Sequence, residues 1–182
     1  MKIIIMTYKD APQERLDNAY KLAKELNGEV YVGGTRYLDN MYNVFKSNID
    51  KDDLLMLEDD VYLCDNFLEK VEAAKDEFPD TVINFFNLHY DTKEHLRMSF
   101  TQWTECQCYF VPKRLLAQLS LYYKAFIKLA PKSYECNIAD NYMRYCLREN
   151  YVLYYPSLVQ QYPFNSVIFK GRIDTQSKTF LK

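Results

Sequence analysis

This chain of 182 residues has two histidines, His89 and His95, and four glycines. With so few histidines, a histidine ligand to a metal is not expected. The cysteines, five in all, are odd in number and scattered among apolar positions, as free buried thiols in a reducing compartment would be. Cys106-x-Cys108 has strand spacing, so both thiols are expected on one side. No second pair stands at zinc spacing, which excludes a zinc site. No run of 18 apolar residues occurs, so no membrane span is expected. The apolar start, Met1 to Met6, is too short for a signal peptide. A cytoplasmic protein of a bacterium or of a phage-infected host is the expectation. The segment after that start, Thr7-Tyr8-Lys9-Asp10, contains no glycine and no Asp-x-Asp. A sugar nucleotidyltransferase would want a glycine-rich basic loop there, and a haloacid-dehalogenase-like phosphatase a nucleophilic aspartate pair. The net charge of −2 gives no general affinity for polyanions. Internal repeats, low-complexity segments and linkers are missing too.

What the chain does have is Leu54-Leu55-Met56-Leu57 running straight into Glu58-Asp59-Asp60. A short apolar run of this length reads as a buried strand. Three acids in a dry interior would repel one another and would be costly without partners. They therefore belong at the strand's exit, facing water or a cation, and a hard divalent ion prefers such oxygen ligands. A solvated turn or the start of a helix is the alternative. Asp65-Asn66 reads as a cap for the helix beginning at Phe67, which leaves Glu58-Asp59-Asp60 unexplained. Residues 1–91 carry a net charge of −9 and residues 92–182 one of +7. Either an acidic half collects a metal and a basic half meets an anion, or the halves neutralise each other across a shared interface.

Elements alternate along the chain. Strands are predicted at Lys2–Met6, Glu29–Val32, Leu54 onward, Thr81–Phe86, Cys106–Val111 and Tyr151–Tyr155, with a brief pairing at Leu158–Gln160. Helices are predicted at Pro12–Leu26, Leu38–Asn48, Asn66–Phe78, from Pro112, and at Ile138–Glu149. On the first helix Leu16, Ala19, Tyr20, Ala23 and Leu26 form the apolar face, and Asn27-Gly28 stops it. His89–Thr104 reads as a long irregular loop. This is an α/β pattern with helices on both faces of a sheet, and ligands of such sheets bind at the carboxyl ends of the strands. The acids lie at such an end.

Four segments, in order, carry a family resemblance. They are Thr7-Tyr8-Lys9-Asp10-Ala11-Pro12-x-x-Arg15, Leu57-Glu58-Asp59-Asp60-Val61 with Phe67 after it, and Cys106-Gln107-Cys108-Tyr109-Phe110-Val111-Pro112-Lys113. The fourth is Asp140-Asn141-Tyr142-Met143 followed by Tyr154-Tyr155-Pro156-Ser157-Leu158-Val159-Gln160-Gln161. Together they resemble the small GT-A-type glycosyltransferases of bacteria and phages, related to the lipooligosaccharide galactosyltransferase group. The acid run stands for the DxD signature in a Glu-Asp-Asp form. The resemblance implies a Rossmann-like three-layer α/β sandwich with a mixed, mostly parallel sheet. It implies one catalytic domain over residues 1–168, with a nucleotide-sugar and metal half (1–91), an acceptor half (92–168), and a tail over 169–182.

It further implies a hexosyl transfer from a nucleotide-diphosphate sugar, a UDP-sugar foremost, to an acceptor hydroxyl, with inversion and with Mn²⁺ or Mg²⁺. Asp60 would ligate the metal, while Glu58 and Asp59 would meet ribose, donor sugar or metal-bound water. Thr7, Tyr8, Lys9 and Arg15 would contact the nucleotide, and Arg36, Asn40 and Asn43 base, diphosphate or sugar; Arg36 reads equally as a surface arginine. Asp140 would be the catalytic base, with Glu135 next in line, or merely an acid favoured at a helix start. Lys170 and Arg172 would cover the diphosphate or an anionic acceptor. The closing segment often carries a metal-ligating histidine; here it reads Gln160-Gln161. Tyrosines 151, 154, 155 and 162 gather near the acceptor end, where a glycan or modified phage DNA would bind. A non-catalytic nucleotide-sugar-binding module and a nucleotidyltransferase-like enzyme are the alternatives.

Overall fold

The structure, a computed structural model, describes residues 1–129, 138–162, 176–177 and 179–181. Seven strands form one sheet: β1 (Lys2–Tyr8), β2 (Glu29–Gly33), β3 (Leu54–Glu58), β5 (Ile83–Asn84), β6 (Leu96–Met98), β7 (Cys108–Val111) and β8 (Tyr151–Leu153). Their spatial order is β2-β1-β3-β7-β5-β8-β6. β1 pairs parallel with β2 and β3, and β5 parallel with β8; β7 runs antiparallel to β3 and β5, and β6 to β8. Five strands thus point one way and two the other. A separate ribbon pairs β4 (Val61–Leu63) with β9 (Val159–Gln161).

Both faces of the sheet are buried, which is why its central strands read as unbroken apolar runs rather than alternating ones. Ile4, Met6, Met56, Tyr109 and Val111 face one core, shared with α2 (Tyr37–Ser47), α4 (Lys113–Leu121) and α6 (Ile138–Cys146). Ile5, Leu55, Leu57, Cys108 and Phe110 face the other, shared with α1 (Gln13–Leu26) and α3 (Phe67–Glu77). A short helix, α5 (Tyr123–Leu129), follows α4. This is the mixed three-layer α/β sandwich expected, consistent with a Rossmann-like GT-A type of fold.

Several local expectations need correcting. Residues 89–104 are not one loop: they hold β6 and a 3₁₀ turn, Phe100–Gln102, which Ser99 opens with a capping box. A three-residue edge strand is too short to show a period. Asn66 does not cap α3 through its side chain; it adopts a left-handed conformation, φ 55°. On α1, Tyr20 is exposed and Asn18 is turned inward, because the Asn18 amide is spent on the turn after β3. Cys106 and Cys108 do not share a side. Cys106 precedes β7 and packs in the first core, Cys108 in the second. Cys64, Cys106, Cys108 and Cys146 are free and buried; Cys136 lies outside the described residues. None of the described helices is long and apolar enough to cross a membrane.

Candidate active site at the carboxyl ends of β1 and β3

The parallel registers Met6↔Glu58 and Tyr8↔Gly33 bring the exits of β1, β2 and β3 together. Asp59 and Asp60 form the turn between β3 and β4. β4 is short but paired, Val61↔Gln161, so Gln161 lands beside this turn.

α1 clamps the turn. Arg15 donates Nε to Asp59 Oδ1 at 2.7 Å, its Nη2 reaches the same oxygen, and Nη2 stands 3.3 Å from Asp60 Oδ2. Three residues on, Asn18 Nδ2 donates to the carbonyls of Asp59 (2.8 Å) and Val61 (3.0 Å). From β1, Thr7 Oγ1 donates to Asp59 Oδ2 at 2.6 Å. Both Asp59 oxygens are therefore occupied by protein. Burial pushes the Asp59 carboxyl up, while Arg15 and the Thr7 bond pull it back. Burial works to lower the Arg15 pKa, yet the charges of Asp60 and Asp59 outweigh it and raise it. Glu58 is pushed well above the usual carboxylate range, by burial first and by the Asp60 charge second, with Arg15 and Tyr37 opposing.

Asp60 differs from Asp59. Its Oδ2 accepts from Gln161 Nε2 at 2.9 Å, but among the described residues its Oδ1 is buried and has no partner. Gln161 Oε1 is likewise buried and partnerless, as is Gln107 Oε1. Gln107 belongs to the same strand end, since Glu58 N donates to its carbonyl at 2.9 Å. Buried acceptors are almost always satisfied, so three bare acceptor oxygens call for a cation or for donor groups of a ligand. As a free-standing metal centre the set falls short: among the described residues no three acids, histidines or cysteines gather as a ligand group. Asp60 and Gln161 would fit a hard cation only if a phosphate and water supplied the rest of its oxygen ligands.

A second acid set lies at the start of β7. Asp140, in the first turn of α6, accepts from Cys106 Sγ at 3.2 Å. Its pKa is pushed up to about 6, by burial and then by the Glu105 charge; the Cys106 bond and Arg144 oppose. Glu105 stands 3.4 Å from His89 Nε2 and has a left-handed backbone, φ 61°. The Cys106 thiol is raised by burial and then by Asp140, with a smaller push from Glu58. One thiol within electrostatic reach of both ties Asp140 and Glu58 to the same end of the sheet.

The other expected residues are placed as follows. Tyr8 is half-buried, its ring centroid 5.9 Å from the Arg15 guanidinium carbon, and Lys9 is exposed beside it. Asn40 is buried and clasps Gly34, accepting from its N and donating to its O, both at 2.9 Å. Arg36 is exposed, 3.5 Å from Asp39, and Asn43 is exposed on α2. Tyr151 is buried, and Tyr154 stacks on His95. Glu135, Lys170 and Arg172 lie outside the described residues. Sequence reasoning passed over Asn18, Tyr37, Glu105 and Gln107. Asn18 had a readable signal, as a polar residue three positions after Arg15 on an otherwise apolar helix face; the others had none.

No family model matches the chain, and no curated protein matches it. Among solved structures, A197 from STIV is 13% identical, with a TM-score of 0.55 over 88% of this chain and 84% of that one. At that identity the likeness is one of fold. Two looser matches carry no argument. One is a Bacillus anthracis protein described as a glucose-1-phosphate thymidylyltransferase, at 11% identity, TM-score 0.44, and 87% and 69% of the two chains. The other is a glycosyltransferase involved in the glycosylation of the major capsid of PBCV-1, at 14%, 0.33, and 73% and 68%.

Proposed function

We propose that this chain transfers a sugar from a nucleotide-diphosphate donor to an acceptor hydroxyl, with a divalent cation shared between protein and donor. The observation that carries this reading is the pair of bare, buried acceptor oxygens, Asp60 Oδ1 and Gln161 Oε1, at the carboxyl ends of parallel strands. Asp60 and Gln161 would hold the cation, Mn²⁺ or Mg²⁺. When bound, it supplies positive charge against the diphosphate as that group leaves.

The chain's own residues do the rest. Arg15, Thr7 and Asn18 fix the acid turn so that Asp60 keeps one oxygen free. Arg15 also cancels one of the three acid charges, which lowers the cost of bringing a diphosphate close. Tyr8 and Lys9, at the exit of β1, and the Gly33-Gly34 segment that Asn40 braces would meet the nucleoside. Asp140 takes the acceptor proton: the acceptor oxygen bonds to the anomeric carbon, the bond from that carbon to the diphosphate oxygen breaks, and the proton passes to the carboxylate. A pKa of about 6 leaves Asp140 ionised at neutral pH yet basic enough to receive it. Attack from the side opposite the diphosphate inverts configuration. The acceptor is a glycan or modified DNA.

A thermal-shift screen of nucleotide sugars, with and without Mn²⁺, tests the reading. One donor class should raise the melting temperature only when Mn²⁺ is present. No shift with any donor, with or without metal, would overturn it. Release of free nucleotide in an acceptor-dependent assay separates transfer from mere binding.

A further inference from the structure

Ser177 and Thr179 are buried, Ser177 against Gln160 of β9. There they join a polar network with Ser157 and Gln160, also buried. The Gln160 amide grips both backbone groups of Ser177: Oε1 accepts from Ser177 N at 2.6 Å, and Nε2 donates to Ser177 O at 3.3 Å. Ser177 Oγ donates to Ser157 Oγ at 2.6 Å, and Ser157 Oγ lies 3.0 Å from Thr179 Oγ1. Ser157 N donates to Thr179 Oγ1 at 3.3 Å, and Asn87 N to Ser157 Oγ at 3.0 Å. Next along, the Phe180 ring meets Tyr62 of β4 edge-on, centroids 5.3 Å apart.

The ribbon these residues support has three residues per strand. A lone two-stranded ribbon of that length is marginal in water. Yet its register, Val61↔Gln161, sets Gln161 against Asp60, and the Tyr162 amide, at its end, donates to the Asp60 carbonyl at 2.7 Å. Something outside the ribbon must hold it: Ser177 binds β9 through Gln160, and Phe180, next to Thr179, meets Tyr62 of β4.

We infer that Ser177 and Thr179 are positioning residues for the cation and diphosphate site, acting through Gln160 and the β4–β9 ribbon to keep Gln161 on Asp60. This deepens the function proposed above and rests on it. Coupling of this kind is reciprocal: if docking of the C-terminal segment forms the site, filling the site must tighten the docking.

The test uses the full chain carrying Ser177→Ala with Thr179→Val, which keep shape and remove the two hydroxyls. Amide exchange at Gln161 and Tyr162 should quicken at least ~10-fold, the scale of one or two lost hydrogen bonds, while exchange at Ile5 and Met56 in the central sheet stays unchanged. The affinity for UDP with Mn²⁺, read by calorimetry, should fall ~10-fold, and Thr179→Ser alone should retain it. In the wild-type chain, adding UDP with Mn²⁺ should slow exchange at Ser177 and Thr179. Unchanged exchange at Gln161 and Tyr162, or equal quickening across the whole sheet, would overturn the inference. Should the wild-type chain bind no UDP with Mn²⁺, the affinity arm is read with the nucleotide diphosphate of the donor class that the thermal-shift screen selects; if no donor binds, the proposed function falls, and the exchange arm still decides whether the C-terminal segment holds the ribbon.

Discussion

Arg15 and Asp59, 44 residues apart, form a buried ion pair in which the guanidinium gives two hydrogen bonds to one carboxylate oxygen while Thr7 takes the other. The side chains are 12% and 1% exposed. This pair decides which acid of the run is free, because Asp59 has no oxygen left to offer and Asp60 has one.

Removing one partner of such a pair leaves a buried charge without compensation. Arg15→Ala should therefore cost about 3–5 kcal/mol, read from urea unfolding with an unchanged slope. Arg15→Lys should recover only part of that, since an ammonium cannot present the guanidinium fork. The double change Arg15→Met with Asp59→Leu should be far milder than Arg15→Ala alone. If it is as damaging, the pair is not the source of the cost.

Asp60→Ala should separate binding from folding. It removes the bare Oδ1 and relieves like-charge crowding around Glu58, while costing the Gln161 bond and the 3.3 Å contact to Arg15, together about 1–3 kcal/mol. The variant should fold, and calorimetry with UDP and Mn²⁺ should show no metal-dependent binding. Undiminished binding would remove Asp60 from the cation's shell.

Much of this was legible in the residues. The apolar run Leu54–Leu57 had to be a strand, and three acids behind it had to lie at its exit, because the interior tolerates neither. The alternation of apolar strands with amphipathic helices gave the layers. The division of labour among the acids was not legible. It depends on Arg15 pointing from α1 at Asp59 rather than at solvent or ligand, a choice made by packing across 44 residues. Nor was the fate of Asn40, whose amide is drawn to a backbone only six residues away once Gly33-Gly34 turns. Gln161 lies in the closing segment where the resembled family often carries a histidine, and its approach to Asp60 requires the pairing of two three-residue strands, too short to announce themselves by period.

The two adjacent glycines should respond in opposite ways. A methyl at Gly33 would stand 2.1 Å from Asn40 Cγ, whereas nothing lies within 4 Å of one at Gly34. Gly33→Ala should cost about 1–3 kcal/mol by overpacking, and Gly34→Ala should stay within about 0.5 kcal/mol. Combining Gly33→Ala with Asn40→Ala should be less costly than the sum of the two single changes, since the clash disappears with the Asn40 amide. Strict additivity in thermal unfolding would reject the clash as the cause.

Asp140 links activity and stability to pH with opposite signs. Its folded pKa of about 6 lies above the ordinary 3.8, because burial and the Glu105 charge disfavour the carboxylate. The native chain therefore holds this proton more tightly than the unfolded chain. The resulting stability is fully present below pH 3.8 and is lost as pH rises through about 6. Asp140→Asn has no proton to lose, so relative to wild type it should gain stability between pH 4 and 7, by about 1–3 kcal/mol at pH 8. Turnover should move the other way. Wild-type kcat/KM should drop below pH 6, as the base becomes protonated, and Asp140→Asn should lose about 100-fold at pH 8. A variant that becomes more stable at neutral pH while losing transfer, and keeps its affinity for UDP with Mn²⁺, is the pattern of a buried base held for chemistry. A variant that loses stability at every pH would make Asp140 a structural residue of α6.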